Sequence, residues 1–135
     1  MNLQNPKVAR VTSLDPAEFM YDLSDLDDTI DPSDAEFVDV LHTSWVSRVP
    51  KGHVDFYPNN GDTGHMMAVY YYTDSIKAKC RYTSYKCTNW KDFEAGKCAT
   101  DCSNNSCNEM GHYASPDKAR GRVYINVKDD APYCR

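Results

Sequence analysis

The chain has 135 residues and a formal net charge of −5, with 15 Lys and Arg against 20 Asp and Glu. This length allows one ordinary domain or part of a larger one, and 41% apolar residues are enough to build a core, which excludes global disorder. The acidic balance argues against a nucleic-acid partner, because affinity for phosphate backbones comes mostly from Lys and Arg. No window approaches 18 uninterrupted apolar residues, so no transmembrane segment is predicted.

Three short strands are predicted in the first half of the chain. Residues 7–14 form an apolar-rich run before Asp15-Pro16, and the proline predicts that Asp15 lies at the carboxyl end of this strand. Residues 37–42 form a second, mostly buried strand that also ends in polar residues. Residues 52–58 form a third extended segment, which an Asn60-Gly61 turn closes.

One helix, over residues 66–77, is the clearest predicted element. Lys77 and Lys79 suit its C-terminal end. Residues 80–110 are predicted to be a loop-rich region. The side chains of residues 123–127 alternate in the pattern typical of a strand, so a last strand is predicted there. Helical spacing predicts one apolar face on the helix, made of Ala68, Val69, Tyr72 and Ile76.

The arrangement of these elements indicates the fold class. Polar residues that follow successive buried strands are typical of an open α/β sheet, in which the functional site lies at the carboxyl ends of the strands. Two or three strands and one helix are too few to cover both faces of such a sheet. We therefore expect part of an α/β fold.

Six cysteines lie within the last 56 residues, and an even number in a cluster indicates disulfides or a metal site. Zinc is one alternative, because Cys98, Cys102, Cys107 and His112 have roughly zinc-compatible spacing. Disulfides would place the protein in an oxidising compartment, yet residues 1–6 do not resemble a signal peptide. We therefore expect the signal peptide in a missing N-terminal part of a longer precursor. Asn104-Asn105-Ser106 is an N-glycosylation sequon.

Five blocks of the chain, in order, resemble motifs of the pancreatic-type lipase family. They are VTSLDPA at 11–17 (VTGLDPA in the family), DPSDAEFVDVLHT at 31–43, GHVDFYPN at 52–59, a histidine followed by YYTDSI at 65–76, and MGHYA at 110–114. The ending Ala131-Pro132-Tyr133-Cys134, with no second β-sandwich domain after it, is more similar to the arthropod phospholipase A1 and neutral-lipase branch. The resemblance implies one unit, residues 1–135, that is the C-terminal portion of a lipase catalytic domain.

The resemblance implies an α/β-hydrolase that cleaves carboxylic esters of lipids with a Ser-Asp-His triad. On this chain it makes Asp15 the acid that orients the imidazole and His65 the general base that activates the serine. No G-x-S-x-G is present, and Ser13 lies within a predicted strand where the family has glycine. The partial α/β-hydrolase expected here therefore lacks the half that bears the nucleophile, and the chain alone should not hydrolyse esters.

The resemblance also implies a structural calcium ion, held by the carboxylates of Asp31 and Asp34 and by the carbonyl oxygens of Leu26 and Thr29. The family has a cysteine-closed lid before the histidine, where this chain has only residues 60–64. The family closes two small loops with disulfides, at spacings that agree with Cys87–Cys98 and Cys102–Cys107. Cys80 and Cys134 then remain, and their pairing would tie the helix end to the last strand.

Two functional hypotheses follow. The first is the C-terminal part of a secreted phospholipase A1 or triacylglycerol lipase, which acts on a lipid substrate or lipid interface and supplies acid and base to a serine encoded upstream. The second is a non-catalytic lipase-fold protein for lipid binding or storage. Retention of both Asp15 and His65 favours the first, whereas the missing serine and the short lid region favour the second.

Overall fold

The computed structural model of the protein describes residues 6–17, 27 and 29–135. Within these ranges the chain forms six strands and two α-helices. In chain order they are β1 (Val8–Leu14), β2 (Ala35–Leu41), β3 (Val54–Pro58), α1 (Met67–Lys77), β4 (Thr83–Lys86), α2 (Trp90–Glu94), β5 (Cys107–Glu109) and β6 (Gly121–Ile125).

The six strands belong to one mixed sheet, in the order β1-β2-β3-β6-β4-β5. The pairs β1–β2, β2–β3 and β3–β6 are parallel, whereas β4 runs antiparallel to both β6 and β5. The carboxyl ends of β1, β2, β3 and β6 therefore meet at one edge, which we call the carboxyl edge. Among the described residues, β1 pairs with β2 alone and is an end strand. The four strands predicted from the sequence correspond to β1, β2, β3 and β6 and are confirmed.

Both faces of the central strands are buried, as the apolar run in β2 predicts. Phe37 and Leu41 of β2 pack in the main core with Tyr71 of α1. Val38 and Val40 point to the other face of the sheet and form a second cluster. A third cluster joins β3 and β6 to α2 and contains Tyr57, Cys87, Trp90, Phe93 and Tyr124. Helices on both faces of a largely parallel sheet are compatible with part of an α/β fold.

The helix lies where the sequence predicts it, but its buried face is different. The predicted apolar face was Ala68, Val69, Tyr72 and Ile76. In the structure α1 buries Ala68, Tyr71 and Ser75, while Val69 and Ile76 are 42% and 44% exposed. The predicted face is therefore confirmed for Ala68 and wrong for Val69 and Ile76, because α1 buries the small polar Ser75 in place of these two apolar residues.

Hydrogen bonding and close packing explain why Ser75 is buried. Its hydroxyl donates to the carbonyl of Tyr72 at 2.6 Å and accepts from the backbone N–H of His112 at 2.9 Å. Gly111 has a φ of 96°, and a Cβ at that position would lie 2.3 Å from Ser75 Oγ. A larger apolar side chain on α1 could not approach this backbone, so helical spacing alone cannot identify the buried face.

The cysteine region contains more regular structure than its predicted loops. β4 and β5 have four and three residues, which is too short for an alternating pattern to be detected. α2 has five residues, and Asn89 is its N-cap. The Asn89 side chain accepts a hydrogen bond from the Asp92 N–H at 2.9 Å. The loop-rich region predicted over residues 80–110 therefore contains three short elements that the sequence pattern did not predict.

Three disulfides join all six cysteines of the chain. They link Cys80 to Cys134, Cys87 to Cys98, and Cys102 to Cys107. These are the pairs considered from the family resemblance. The zinc alternative is contradicted, because the structure leaves no thiolate at the candidate ligand positions.

His53 makes the stability of the fold sensitive to mildly acidic pH. Its Nδ1 accepts the backbone N–H of Val38 at 2.9 Å, which requires an unprotonated nitrogen. Burial lowers the pKa of His53 below its ordinary value of 6.5, and the charges of Arg120 and Lys7 lower it further. Below about pH 6.5 the unfolded chain therefore binds more protons than the folded chain, and stability is lost as the pH falls.

We expect His53→Gln to reduce this pH dependence, because glutamine keeps a hydrogen-bond acceptor but cannot be protonated. The measurement is urea unfolding at neutral pH and at about pH 5.5, in the range where histidine titrates. Equal losses of stability in the wild-type chain and the variant would contradict the assignment.

Candidate active site

Asp15 lies directly after β1 at the carboxyl edge of the sheet. Its backbone N–H donates to the carbonyl of Leu41 at 2.8 Å, which extends the β1–β2 pairing by one residue. Its φ is 50°, in the left-handed region that Asp tolerates better than most residues. The side chain is fully buried. A carboxylate in this position requires hydrogen-bond donors around it.

The donors come from the residues that follow β2. Oδ1 of Asp15 accepts the backbone N–H groups of Thr43 and Ser44 at 2.7 and 3.0 Å. Oδ2 accepts the hydroxyl of Ser44 at 2.5 Å. These three bonds fix the orientation of the carboxylate.

His65 completes the arrangement at the same edge. Its Nδ1 lies 2.7 Å from Oδ2 of Asp15, although fifty positions separate the two residues. The loop before His65 is fastened to the end of β2, because the N–H groups of Thr63 and Gly64 both donate to the carbonyl of Thr43 at 2.9 and 2.8 Å. The structure thus brings the two predicted catalytic residues into direct contact.

The side chains of the two residues differ strongly in exposure. The His65 side chain is 57% exposed, whereas Asp15 is buried. With Nδ1 donating to the carboxylate, the neutral ring carries its lone pair on Nε2, which has no hydrogen-bond partner among the described residues. An imidazole held in this way can take a proton from a nucleophile placed beside Nε2. The hydroxyl of Ser44 is not that nucleophile, because it donates to Asp15.

A second His–Asp pair lies buried behind this site. Nε2 of His42 is 2.8 Å from Oδ1 of Asp55, and Nδ1 is 2.6 Å from the carbonyl oxygen of Ser47. The ring stacks on Tyr57 with 4.6 Å between centroids. His42 and Asp55 are inaccessible to a substrate, so their role is structural. They close the loop of residues 42–47, which supplies the donors to Asp15.

Sequence reasoning missed the role of Ser44. A signal was present, because Thr43 and Ser44 follow β2 as Asp15 follows β1, and parallel neighbours end at the same edge. The register pairs Leu14 with Leu41, which places the residues after both strands side by side. The sequence alone does not show that β1 and β2 are neighbours, so this signal could be interpreted only once the strand order was known.

The connection between β3 and His65 is short and well packed. Residues Asn59–Gly61 form a 3-10 turn, and the Asn59 side chain exchanges two hydrogen bonds with the backbone of Val127, at 3.2 and 2.9 Å. Gly61 has a φ of 68°, and a Cβ there would lie 3.0 Å from the carbonyl oxygen of His42. This segment is part of the packed edge rather than a cover over it.

Exposed apolar side chains lie next to two residues of the site in the sequence, after Ser44 and after His65. Trp45, next to Ser44, is 75% exposed, and Met66, Val69 and Tyr70 on the first turns beside His65 are also exposed. An accessible group of large apolar side chains is a feature of surfaces that bind apolar partners.

The two carboxylates among the predicted calcium ligands, Asp31 and Asp34, form a local turn. Oδ1 of Asp31 accepts the N–H of Ser33 at 2.6 Å, and Oδ2 of Asp34 accepts the N–H of Asp31 at 2.9 Å. The hydrogen bonds from Ser33 lower the pKa of Asp31. Each carboxylate uses one oxygen in the turn, so the other oxygen could ligate a hard cation. Leu26 lies outside the described residues. Within the described ranges, no three His, Cys, Asp or Glu side chains are grouped to hold a metal.

Comparisons with known proteins identify the family of the chain. The family model described as Lipase matches residues 2–64 and 62–133 of the chain. Horse pancreatic triacylglycerol lipase (Equus caballus) is 32% identical over 97% of this chain and 37% of its own length, and phospholipase A1 member A of cattle (Bos taurus) is 33% identical over 96% and 35%. Inactive pancreatic lipase-related protein 1 of the dog (Canis lupus familiaris) is 27% identical over 98% and 37%.

The chain belongs to the lipase family, since the family model covers nearly all of it. It spans about a third of the length of the curated relatives it matches. None of the helices in the described ranges is long and apolar enough to span a bilayer.

The comparisons also show that this chain is shorter than a relative within the region they share. The alignment with the horse protein has 173 positions, but only 97% of the 135 residues of this chain take part in it. About 42 residues of the horse protein within the aligned region therefore have no counterpart in this chain. The two segments of the family match meet at residues 62–64, just before His65. This junction lies in the segment where the family resemblance implies a lid.

Proposed function

We propose that this chain is the acid- and base-bearing portion of a lipase catalytic domain that hydrolyses carboxylic esters of lipids. The observation that supports this most strongly is the 2.7 Å contact between Nδ1 of the exposed His65 and the buried Asp15. A carboxylate in that position fixes the tautomer of the ring and stabilises the imidazolium that forms when Nε2 accepts a proton.

In the proposed mechanism a serine supplied by another part of the protein lies beside Nε2 of His65. The imidazole removes the hydroxyl proton as the serine oxygen attacks the ester carbonyl, and it returns the proton to the leaving alcohol. Ser44, Thr43 and the backbone around them hold Asp15 in place through both steps. Water then repeats the sequence to release the fatty acid.

The sheet offers a place for the serine-bearing part. β1 precedes Asp15 directly and, among the described residues, uses one of its two edges. A further parallel strand on the free edge of β1 would end at the carboxyl edge, beside Asp15 and His65. This supports the interpretation of the chain as the C-terminal half of an α/β-hydrolase sheet, as does its coverage of about a third of its relatives.

Lipid is the proposed substrate class, and an oxidising, extracellular location is the proposed setting. The names of two relatives describe a triacylglycerol lipase and a phospholipase A1. The exposed side chains of Trp45, Met66 and Tyr70 would favour contact with a lipid interface beside His65. Three disulfides are typical of proteins outside the reducing cytosol.

The decisive experiment for this proposal is to sequence the complete transcript. A G-x-S-x-G segment in frame and upstream of the present residues supports the enzyme, and the encoded protein should react with a serine-directed phosphonate probe. A complete reading frame without such a segment would refute the enzymatic proposal.

A second candidate function is lipid binding or storage without catalysis. The dog relative, whose name describes it as inactive, favours this alternative because such proteins occur among relatives of this chain. The two functions differ in one measurement. A complete protein that binds lipid vesicles but neither hydrolyses their esters nor reacts with the phosphonate supports the second.

We further propose a structural calcium ion at Asp31 and Asp34, with the carbonyls of Leu26 and Thr29. If calcium binds there, millimolar calcium should raise the melting temperature of the wild-type chain, because a ligand that binds only the folded state stabilises it. The variant Asp34→Asn should lose this response, while Asp117→Asn, an exposed carboxylate elsewhere, should keep it. No shift in the wild-type chain would contradict the site.

A further inference from the structure

A turn remote from the candidate active site has a side chain without an internal role. Residues Ser103–Asn105 form a 3-10 turn that the Cys102–Cys107 disulfide closes. Asn104 is exposed and has a φ of 54°, so it lies at the tip of the turn. Its side-chain amide makes no hydrogen bond with any residue in the described part of the chain.

The turn is stabilised without the Asn104 amide. Oδ1 of Asp101 accepts the N–H and the hydroxyl of Ser103 at 3.0 and 2.5 Å. The hydroxyl of Ser106 donates to the carbonyls of Asp101 and Ser103 at 2.8 and 2.5 Å. A bulky group on Asn104 would therefore displace no contact that holds the turn.

We infer that Asn104 is a site of N-linked glycosylation. It is the first residue of the sequon Asn104-Asn105-Ser106, and its exposure in a hydrophilic turn is the context that such a sequon requires. Nδ2 forms a bond to the anomeric carbon of a lipid-pyrophosphate-linked oligosaccharide. The bond from that carbon to the pyrophosphate oxygen breaks, and Nδ2 loses one proton.

Sheet topology keeps this glycan away from the candidate catalytic residues. Among the described residues, β1 and β5 are the two end strands of the sheet. Asp15 follows β1 and Asn104 precedes β5, so the two residues lie at opposite ends of the strand order. Tyr85 pairs with Cys107 and Thr83 with Glu109, so β5 begins away from the carboxyl edge and runs toward it. The glycan leaves the surface beside His65 free to meet a lipid interface.

The proposal rests on passage of the protein through the secretory pathway, which belongs to the proposed function. Its test is to secrete the chain from insect cells behind a cleavable leader and to compare its mass before and after enzymatic removal of N-glycans. We expect a loss of one glycan and conversion of Asn104 to Asp in the peptide map.

Matched variants identify the acceptor. Asn104→Gln and Ser106→Ala should each abolish the mass change, whereas Asn105→Gln and Ser106→Thr should keep it. An unmodified wild-type chain in the medium would overturn the proposal, as would a glycan that persists in Asn104→Gln and is lost in Asn105→Gln. These outcomes are independent of ester hydrolysis, so failure here leaves the catalytic proposal intact.

Discussion

Replacing His65 with Ala in the complete, serine-bearing protein is expected to lower the kcat for lipid ester hydrolysis by roughly 10⁴ to 10⁶-fold, the scale on which triad members act. Without the imidazole the serine hydroxyl keeps its proton, and Asp15 cannot replace it because that carboxylate is buried behind the ring. The KM should change little, because the imidazole contributes to the transition state rather than to substrate binding. The measurement is initial-rate hydrolysis of an emulsified triacylglycerol and of phosphatidylcholine vesicles.

His112→Asn is the matched control for this experiment. His112 is also exposed, and its ring lies against the aromatic rings of Tyr72 and Tyr113. Its hydrogen bonds within the described part of the chain come from the backbone and not from the side chain. The control should retain near wild-type activity. A folded His65→Ala protein with unchanged activity would exclude His65 as the general base.

The candidate site could be proposed from the sequence because motifs mark its two main residues. Asp15 stands before a proline at a strand end, and His65 precedes a helix, so each position had a local signal. Their contact had no local signal and was implied only by the family resemblance, because it depends on β1, β2 and β3 lying side by side in parallel. Strand order is set by tertiary packing, which periodicity over ten residues does not contain.

The misassigned face of α1 shows a second limit of sequence patterns. Val69 and Ile76 have the spacing of core residues, yet they lie on the exposed side of the helix. Ser75 replaces them at the sheet because Gly111 approaches too closely for a larger side chain. An apolar pattern identifies residues that favour burial, but the backbone opposite them decides which ones fit.

Replacing His42 with Ala is expected to lower the free energy of unfolding by about 3 kcal/mol, because it removes one partner of a buried charged or hydrogen-bonded pair. Asp55 would remain buried with the backbone N–H groups of Lys51 and Gly52 as its donors, at 2.8 and 3.2 Å. The bond to the carbonyl of Ser47 would also be lost, which releases the loop of residues 42–47. Urea denaturation of the disulfide-intact protein measures this change.

The same variant connects stability to the candidate site. The released loop carries Thr43 and Ser44, whose three hydrogen bonds orient Asp15, so the fraction of molecules with His65 correctly held should fall. In the complete protein, under conditions where the variant is still folded, we expect His42→Ala to lower kcat by ~10²-fold relative to the wild type. This is the effect of a small misplacement of catalytic groups. His112→Ala, at an exposed position, should change stability by less than about 0.5 kcal/mol. If His42→Ala matched that control in both stability and rate, the buried pair would not be what holds the loop against Asp15.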